Sequence, residues 1–350
     1  MKSASSLFVR WGLAVTLLVM SPAVSFATLD PDEQARVDAA IVRALEFLAR
    51  EQQSSGAWRT ASAGESTAAT SLAIMAFMAA GHVPGEGPYA VAIDRGIRWL
   101  LAQQDDEGVF SDRNTHGRMY CHGISTLMLA EVLGMTPEAE SANVRRALER
   151  AVRVILLAQN VRKDGRNAGG WRYQPTSNDS DLSVTGWQLL ALRAAKNVGC
   201  DVPAENIDRA VAYVKRCSVR DNQGFAYQPS SGASAVRTGT GILALEICGE
   251  HHSAEAMGGA DYLLRRPLQY RDAFFFYGAY YCGLGMFQIG GRHWEETQEH
   301  LVDILLSNQQ RDGSWESGNG LERDAGQIYS TSMAVLSLAV EYQYLPIYQR

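Results

Sequence analysis

Two hydrophobic patterns alternate along this chain of 350 residues. In the first, apolar residues recur every three or four positions and charges fill the other face. It is seen in "ARVDAAIVRALEFLAREQ" (35–52), "VAIDRGIRWLLAQQ" (91–104), "NVRRALERAVRVILLAQ" (143–159), "AENIDRAVAYVKRC" (204–217) and "EETQEHLVDILLSNQQ" (295–310). This is the period of a helix wet on one side. In the second, segments such as "STAATSLAIMAFMAAG" (66–81), "YCHGISTLMLAEVLG" (120–134), "SVTGWQLLALRAAKNVG" (183–199) and "YSTSMAVLSLAVEY" (329–342) are apolar nearly all round and rich in Ala, Gly, Ser and Thr. Such helices are buried on most faces, and their small residues allow close approach. Glycines at 81, 134, 199, 249 and 290 stand where C-terminal caps are expected.

Between wet and dry segments comes a polar turn with a glycine and then an aromatic residue. The turns read "QSSGAW" (53–58), "QDDEGVF" (104–110), "GRNAGGW" (165–171), "DNQGFAY" (221–227) and "QRDGSW" (310–315), with glycines at 56, 108, 170, 224 and 313. The gap before Gly313 is long enough for one more unit, and "RRPLQYRDAFFFYGAYYCGLGMFQ" (265–288) fills it without a turn glycine. Six helical hairpins follow, at about 32–84, 88–137, 138–203, 204–251, 252–291 and 292–348. Dry helices would form an inner ring and amphipathic helices an outer one. An open solenoid would need polar end caps, and "QIYSTSMAVLSLAVEYQYLPIY" at the end of the chain is apolar. The expected fold is therefore an all-α (α/α)6 toroid over residues 28–350.

Residues 1–27 are of another kind. Lys2 and Arg10 precede or flank the apolar "WGLAVTLLVM", and "SFA" ends at Ala27. This is the layout of a cleavable signal peptide, cut after Ala27, and it implies an exported protein. No later stretch has the length of a membrane span. Net charge is −6, without a Lys/Arg run, so nucleic acid is not an expected partner. Five scattered cysteines (121, 200, 217, 248 and 282) make no disulfide framework.

The "Q-x2/3-G-x-W" turns resemble the repeats of squalene and oxidosqualene cyclases and of protein prenyltransferase beta subunits, which share the (α/α)6 toroid. The chain is more similar still to exported bacterial proteins with prenyltransferase/squalene-oxidase repeats. The likeness is carried by "MYCHG" (Met119–Gly123), by "GGWRYQPTSNDSDLSVTGW" (Gly169–Trp187) and by "YLPIY" (344–348). In the cyclases the middle aspartate of "D-x-D-D" protonates an alkene. The resemblance places Asp181 at that position and Asp179 at the first, while Leu182 replaces the last aspartate. Alkene protonation needs a carboxylic acid kept protonated in a dry cavity. The alternative is that either aspartate caps the helix that follows.

His122 begins an inner helix and would share a mouth with Asp181, as general base, proton relay or simply a hydrogen-bonded structural residue. Cys121, His122 and Cys282 form a conceivable metal set, but the contexts of the zinc prenyltransferases are missing, and neither a metal nor a cofactor is expected. Arg237 opens the fourth inner helix, where it would pair with Asp179 or Asp181 or bind an anion. Tyr120, Trp187, Phe276, Tyr277, Tyr280 and Tyr329 are candidate cavity aromatics, whose faces stabilise carbocations or hold apolar ligands. "ICGE" (247–250) suggests a thioester, but His251 stands where that bond needs glutamine. Three functions remain open. They are an enzyme or carrier for an isoprenoid or other apolar ligand, a glycan-active protein, and a non-catalytic scaffold for a protein or peptide.

Overall fold

The computed structural model describes residues 29–62, 64–112, 117–136, 141–318 and 320–349. Among these residues, twelve α-helices alternate between two layers. The outer ones are α1 (Pro31–Glu51), α3 (Ala90–Leu101), α5 (Ala142–Gln159), α7 (Ala204–Arg216), α9 (Ala254–Arg265) and α11 (Gly291–Asn308). The inner ones are α2 (Thr67–Ala79), α4 (Arg118–Met135), α6 (Leu182–Asn197), α8 (Ala235–Ile247), α10 (Phe275–Ile289) and α12 (Gly320–Leu338). Each inner helix packs on the next, and α12 packs on α2, so the six hairpins close into a toroid. The unit expected without a turn glycine is present as α9 and α10. One two-residue hairpin, Arg59–Thr60 with Gly64–Glu65, packs against α12. Among the described residues no helix is long and apolar enough to cross a membrane.

The repeat motif has a mechanical meaning. The glutamine at the end of an outer helix donates to the turn glycine's carbonyl and to a carbonyl of the next outer helix. Gln52 reaches Gly56 O (2.9 Å) and Ala92 O (2.8 Å), and Gln159 reaches Gly169 O (2.8 Å) and Asn206 O (2.9 Å). Gln104 does the same with Gly108 and Ala147. Gln309 binds Gly313 and, across the ring closure, Ala40 of α1. The turn tryptophans 58, 171 and 315 are fully buried, and each donates its indole N–H to a carbonyl of its own outer helix. In the third unit the repeat glycine is Gly169 rather than Gly170. Gly169 has φ +91°, and a Cβ there would meet Arg209 O at 2.1 Å. Of the expected C-terminal glycines, 81, 199, 249 and 290 take positive φ, whereas Gly134 lies inside α4.

The two ends of the ring differ. The inner helices begin at one end, around an open cavity. At the other end the chain after α12 folds back under α4 and α6. There Pro346 sits against Gly134, the Ile347 N–H donates to Glu131 Oε2 (3.2 Å), and Gln288 donates to Tyr348 O (3.2 Å). Leu345, Ile347 and Tyr348 are buried. Burial pushes the Glu131 carboxyl up to about 8, so it sits beneath this plug as a neutral acid at neutral pH.

Candidate functional site

A cavity of about 570 Å³ opens at the N-terminal end of the inner helices. Its depth follows from helix register. Ser66 and Asp181 are the N-caps of α2 and α6, and Arg118 begins α4. Six residues on from these stand Leu72, Ile124 and Trp187, about 9 Å further in at 1.5 Å per residue, and all three line the cavity. The floor is therefore apolar. The walls are aromatic: Tyr120, Tyr173, Tyr227, Phe274, Tyr277 and Tyr329. Charge is confined to Asp112, Arg237 and Glu322 among the described lining residues.

Five expected ligand contacts thus line one cavity: Tyr120, Trp187, Arg237, Tyr277 and Tyr329. Tyr280 stands behind that wall, stacked on Trp187 with ring centres 5.4 Å apart. Phe276 packs edge-on against Phe275 and Tyr270.

Asp181 is both cap and buried acid. Its Oδ1 accepts from Val184 N (2.8 Å), while Oδ2 is buried 3.6 Å from Arg172 Nε. Burial raises its pKa to about 6, against the lowering by the Val184 N–H and Arg172. Asp181 is not itself a lining residue. Asp179 is half exposed, and Arg172 Nε is also 3.6 Å from it. The partner of both aspartates is thus Arg172, delivered by the backbone bridge between Trp171 and Asp181, and Arg237 takes no part.

His122 lies outside the cavity and is fully buried. Its Nδ1 accepts from Phe110 N (3.1 Å) and its Nε2 donates to Ala151 O (3.0 Å). Burial lowers its pKa to about 4, so it is a neutral imidazole with both nitrogens engaged. The other units explain it. Trp58 N, Trp171 N, Phe225 N and Trp315 N each donate to a threonine hydroxyl on the following inner helix: Thr70, Thr185, Thr238 and Thr331. His122 fills the threonine's place in the second unit. Cys282 packs on Gly239, and among the described residues no group of three His, Cys, Asp or Glu side chains is placed to hold a metal ion. All five cysteines are free thiols.

Sequence reasoning missed Asp112 and Glu322. The Ser66 hydroxyl and the Thr67 N–H and hydroxyl all donate to Asp112, at 2.6–2.8 Å. Glu322 comes from α12 but caps α10, accepting from Tyr277 N (2.9 Å), Phe276 N (3.3 Å) and the Tyr329 hydroxyl (3.2 Å). The signal for Glu322 was indirect. α10 begins after Phe274, whose side chain makes no cap, so another residue had to supply one. Tyr173 and Tyr227 bond to each other through their hydroxyls. Their signal was the shared "YQP" triplet of the third and fourth turns.

The sequence matches the prenyltransferase alpha-alpha toroid domain over residues 95–275 and 266–345. The chain belongs to that family. Residues 2–125 match the squalene-hopene cyclase C-terminal domain. Solved structures with the same toroid include the GH76A alpha-1,6-mannanase of Salegentibacter sp. HEL1_6, at TM-score 0.66 and 9% identity over 88% of this chain and 99% of that one. The type II terpene cyclase MstE from Scytonema matches at TM-score 0.58 and 14% identity, over 89% of this chain and 100% of that one. A possible GH105 family member from Klebsiella pneumoniae matches at 0.60 and 13%, over 95% and 98%. At such identities these toroids share a fold with the chain and nothing finer. No curated protein sequence matches it.

Proposed function

We propose that this prenyltransferase-type toroid binds an isoprenoid or similarly apolar ligand in its central cavity. The observation that carries the reading is the cavity's construction, with an apolar floor at Leu72, Ile124 and Trp187, aromatic walls, and, among the described lining residues, three charged side chains. Burial of an apolar chain there is worth about 25 cal/mol per Å² of surface removed from water. The volume lies within the usual range for small-molecule sites, roughly 300–1,000 Å³. The match to the squalene-hopene cyclase domain points to the same ligand class.

Of the three acid–base candidates, Asp181 suits proton donation best, being buried with a pKa near 6. Asp179 is half exposed beside Arg172, and His122 is tied to backbone on both sides. Transformation of the ligand is therefore assigned to Asp181, which stands behind the lining residue Ser183 rather than in the wall itself. The glycan-active alternative draws on the carboxylates Asp112 and Glu322, but both are engaged at helix N-termini. A scaffold role would leave the cavity without an occupant. Export is part of the proposal and rests on residues 1–27, which lie outside the described residues.

The test is native mass spectrometry of the purified protein incubated with farnesol, on wild type, Leu72→Arg and Asp181→Asn. An adduct in wild type that Leu72→Arg abolishes supports the reading. Absence of any adduct in a folded wild type sinks it. Conversion of the bound ligand to an isomer of altered chromatographic retention, recovered from wild type and not from Asp181→Asn, assigns catalysis, and unaltered ligand recovered from both leaves that residue a cap.

A further inference from the structure

The charges around the cavity are satisfied unequally. Arg172 faces Asp179 and Asp181. Asp112 is met at the start of α2, and Glu322 at the start of α10. Arg237 is different. Its ring neighbours are Tyr227 and Phe274, with the guanidinium carbon 5.3 and 5.5 Å from their centroids. Its one side-chain hydrogen bond among the described residues is a 3.5 Å contact from Nη1 to Ser234 Oγ. Its Nε is buried with no partner, and among the described residues no carboxylate forms an ion pair with it.

A guanidinium held in a partly dry, aromatic site without a counter-ion is costly. It is also preorganised, because stacking on two rings fixes the fork of donors. Resting on the apolar-ligand reading, we propose that Arg237 receives the carboxylate of an amphiphilic acid whose apolar body fills the cavity. A planar carboxylate matches the guanidinium with two parallel hydrogen bonds. A diphosphate suits the site poorly. It would bring two or more negative charges to a cavity whose described lining residues include one cation, Arg237, and two carboxylates, Asp112 and Glu322.

The experiment compares three probes with one hydrocarbon chain: farnesoic acid, farnesol and farnesyl diphosphate. Each is titrated at pH 7.5 by calorimetry into wild type, Arg237→Met and Arg237→Lys. A charge-assisted pair predicts that wild type binds the acid about tenfold or more tighter than the alcohol. Arg237→Met abolishes that preference, and its remaining farnesol binding shows that the variant still holds an apolar cavity. Arg237→Lys retains part of the preference. Equal affinity of wild type for acid and alcohol overturns the proposal and leaves the apolar reading standing. Tighter binding of the diphosphate than of the acid overturns it in favour of a polyanion. Failure of both acid and alcohol to bind overturns the apolar reading and this proposal together.

Discussion

Replacing His122 by threonine tests whether that histidine belongs to the repeat architecture. In wild type its ring joins the Phe110 N–H to the Ala151 carbonyl. A threonine restores the acceptor used in the other units but leaves the Ala151 carbonyl bare, a cost of about 1–3 kcal/mol at any pH. The pH-dependent part is separate. The ordinary histidine value is 6.5 and the folded value about 4, because the buried ring resists charging. Unfolding therefore takes up a proton below pH 6.5. The histidine's contribution is complete above that value and is lost as pH falls towards 4. From these two values the loss between pH 7 and pH 5 is about 2 kcal/mol, approaching about 3 kcal/mol below pH 4. The assay is guanidinium unfolding followed by tryptophan emission at both pH values. The variant should be the less stable at pH 7, and its stability should fall about 2 kcal/mol less than that of wild type on going to pH 5. Equal acid sensitivity in the two proteins would refute the reasoning. Other groups titrate in this window, Asp181 among them, but they are common to both proteins and cancel in the difference.

Glu131→Gln should act in the opposite direction. Its folded value near 8 exceeds the ordinary 4.5, so wild type is most stable below pH 4.5 with respect to this group and loses stability as pH rises through 8. The glutamine keeps an acceptor for Ile347 and cannot ionise, so the variant should gain on wild type by about 3 kcal/mol between pH 5 and pH 8. Parallel melting curves across that range would count against a buried acid. Gly169→Ala, at φ +91° with Arg209 O at 2.1 Å from the added methyl, should cost more than about 2 kcal/mol. Gly165→Ala, with open space around it, should lie within about 0.5 kcal/mol of wild type by the same unfolding assay.

The fold was legible because wet and dry helices alternate and because the turn signal recurs with its glutamine, glycine and aromatic residue. That pattern located even the unit lacking a turn glycine. The site was legible in part. The aromatics of the inner helices were found, since a dry helix lining a closed ring must face either a neighbour or the cavity. Their sorting was not, because Tyr277 and Tyr280 sit three residues apart on one helix and only packing separates the lining residue from the one behind it. His122 misled because histidine carries chemical associations that threonine lacks. Aligning Thr70 and His122, each twelve residues after its turn aromatic at 58 or 110, would have exposed its place in the repeat. Arg172 was overlooked as the partner of Asp181 because eight residues of irregular loop separate them, and only the Trp171–Asp181 bridge brings them together.

The plug at residues 340–348 turns a tube into a cup. A ring open at both ends can be threaded, so that a long polymer slides through and is handled processively. With one end shut by Pro346, Ile347 and Tyr348, whatever occupies the cavity must leave by the opening it came in through. A second molecule can then enter only after the first has left, and cannot push it onward. Entry and departure would therefore share one path.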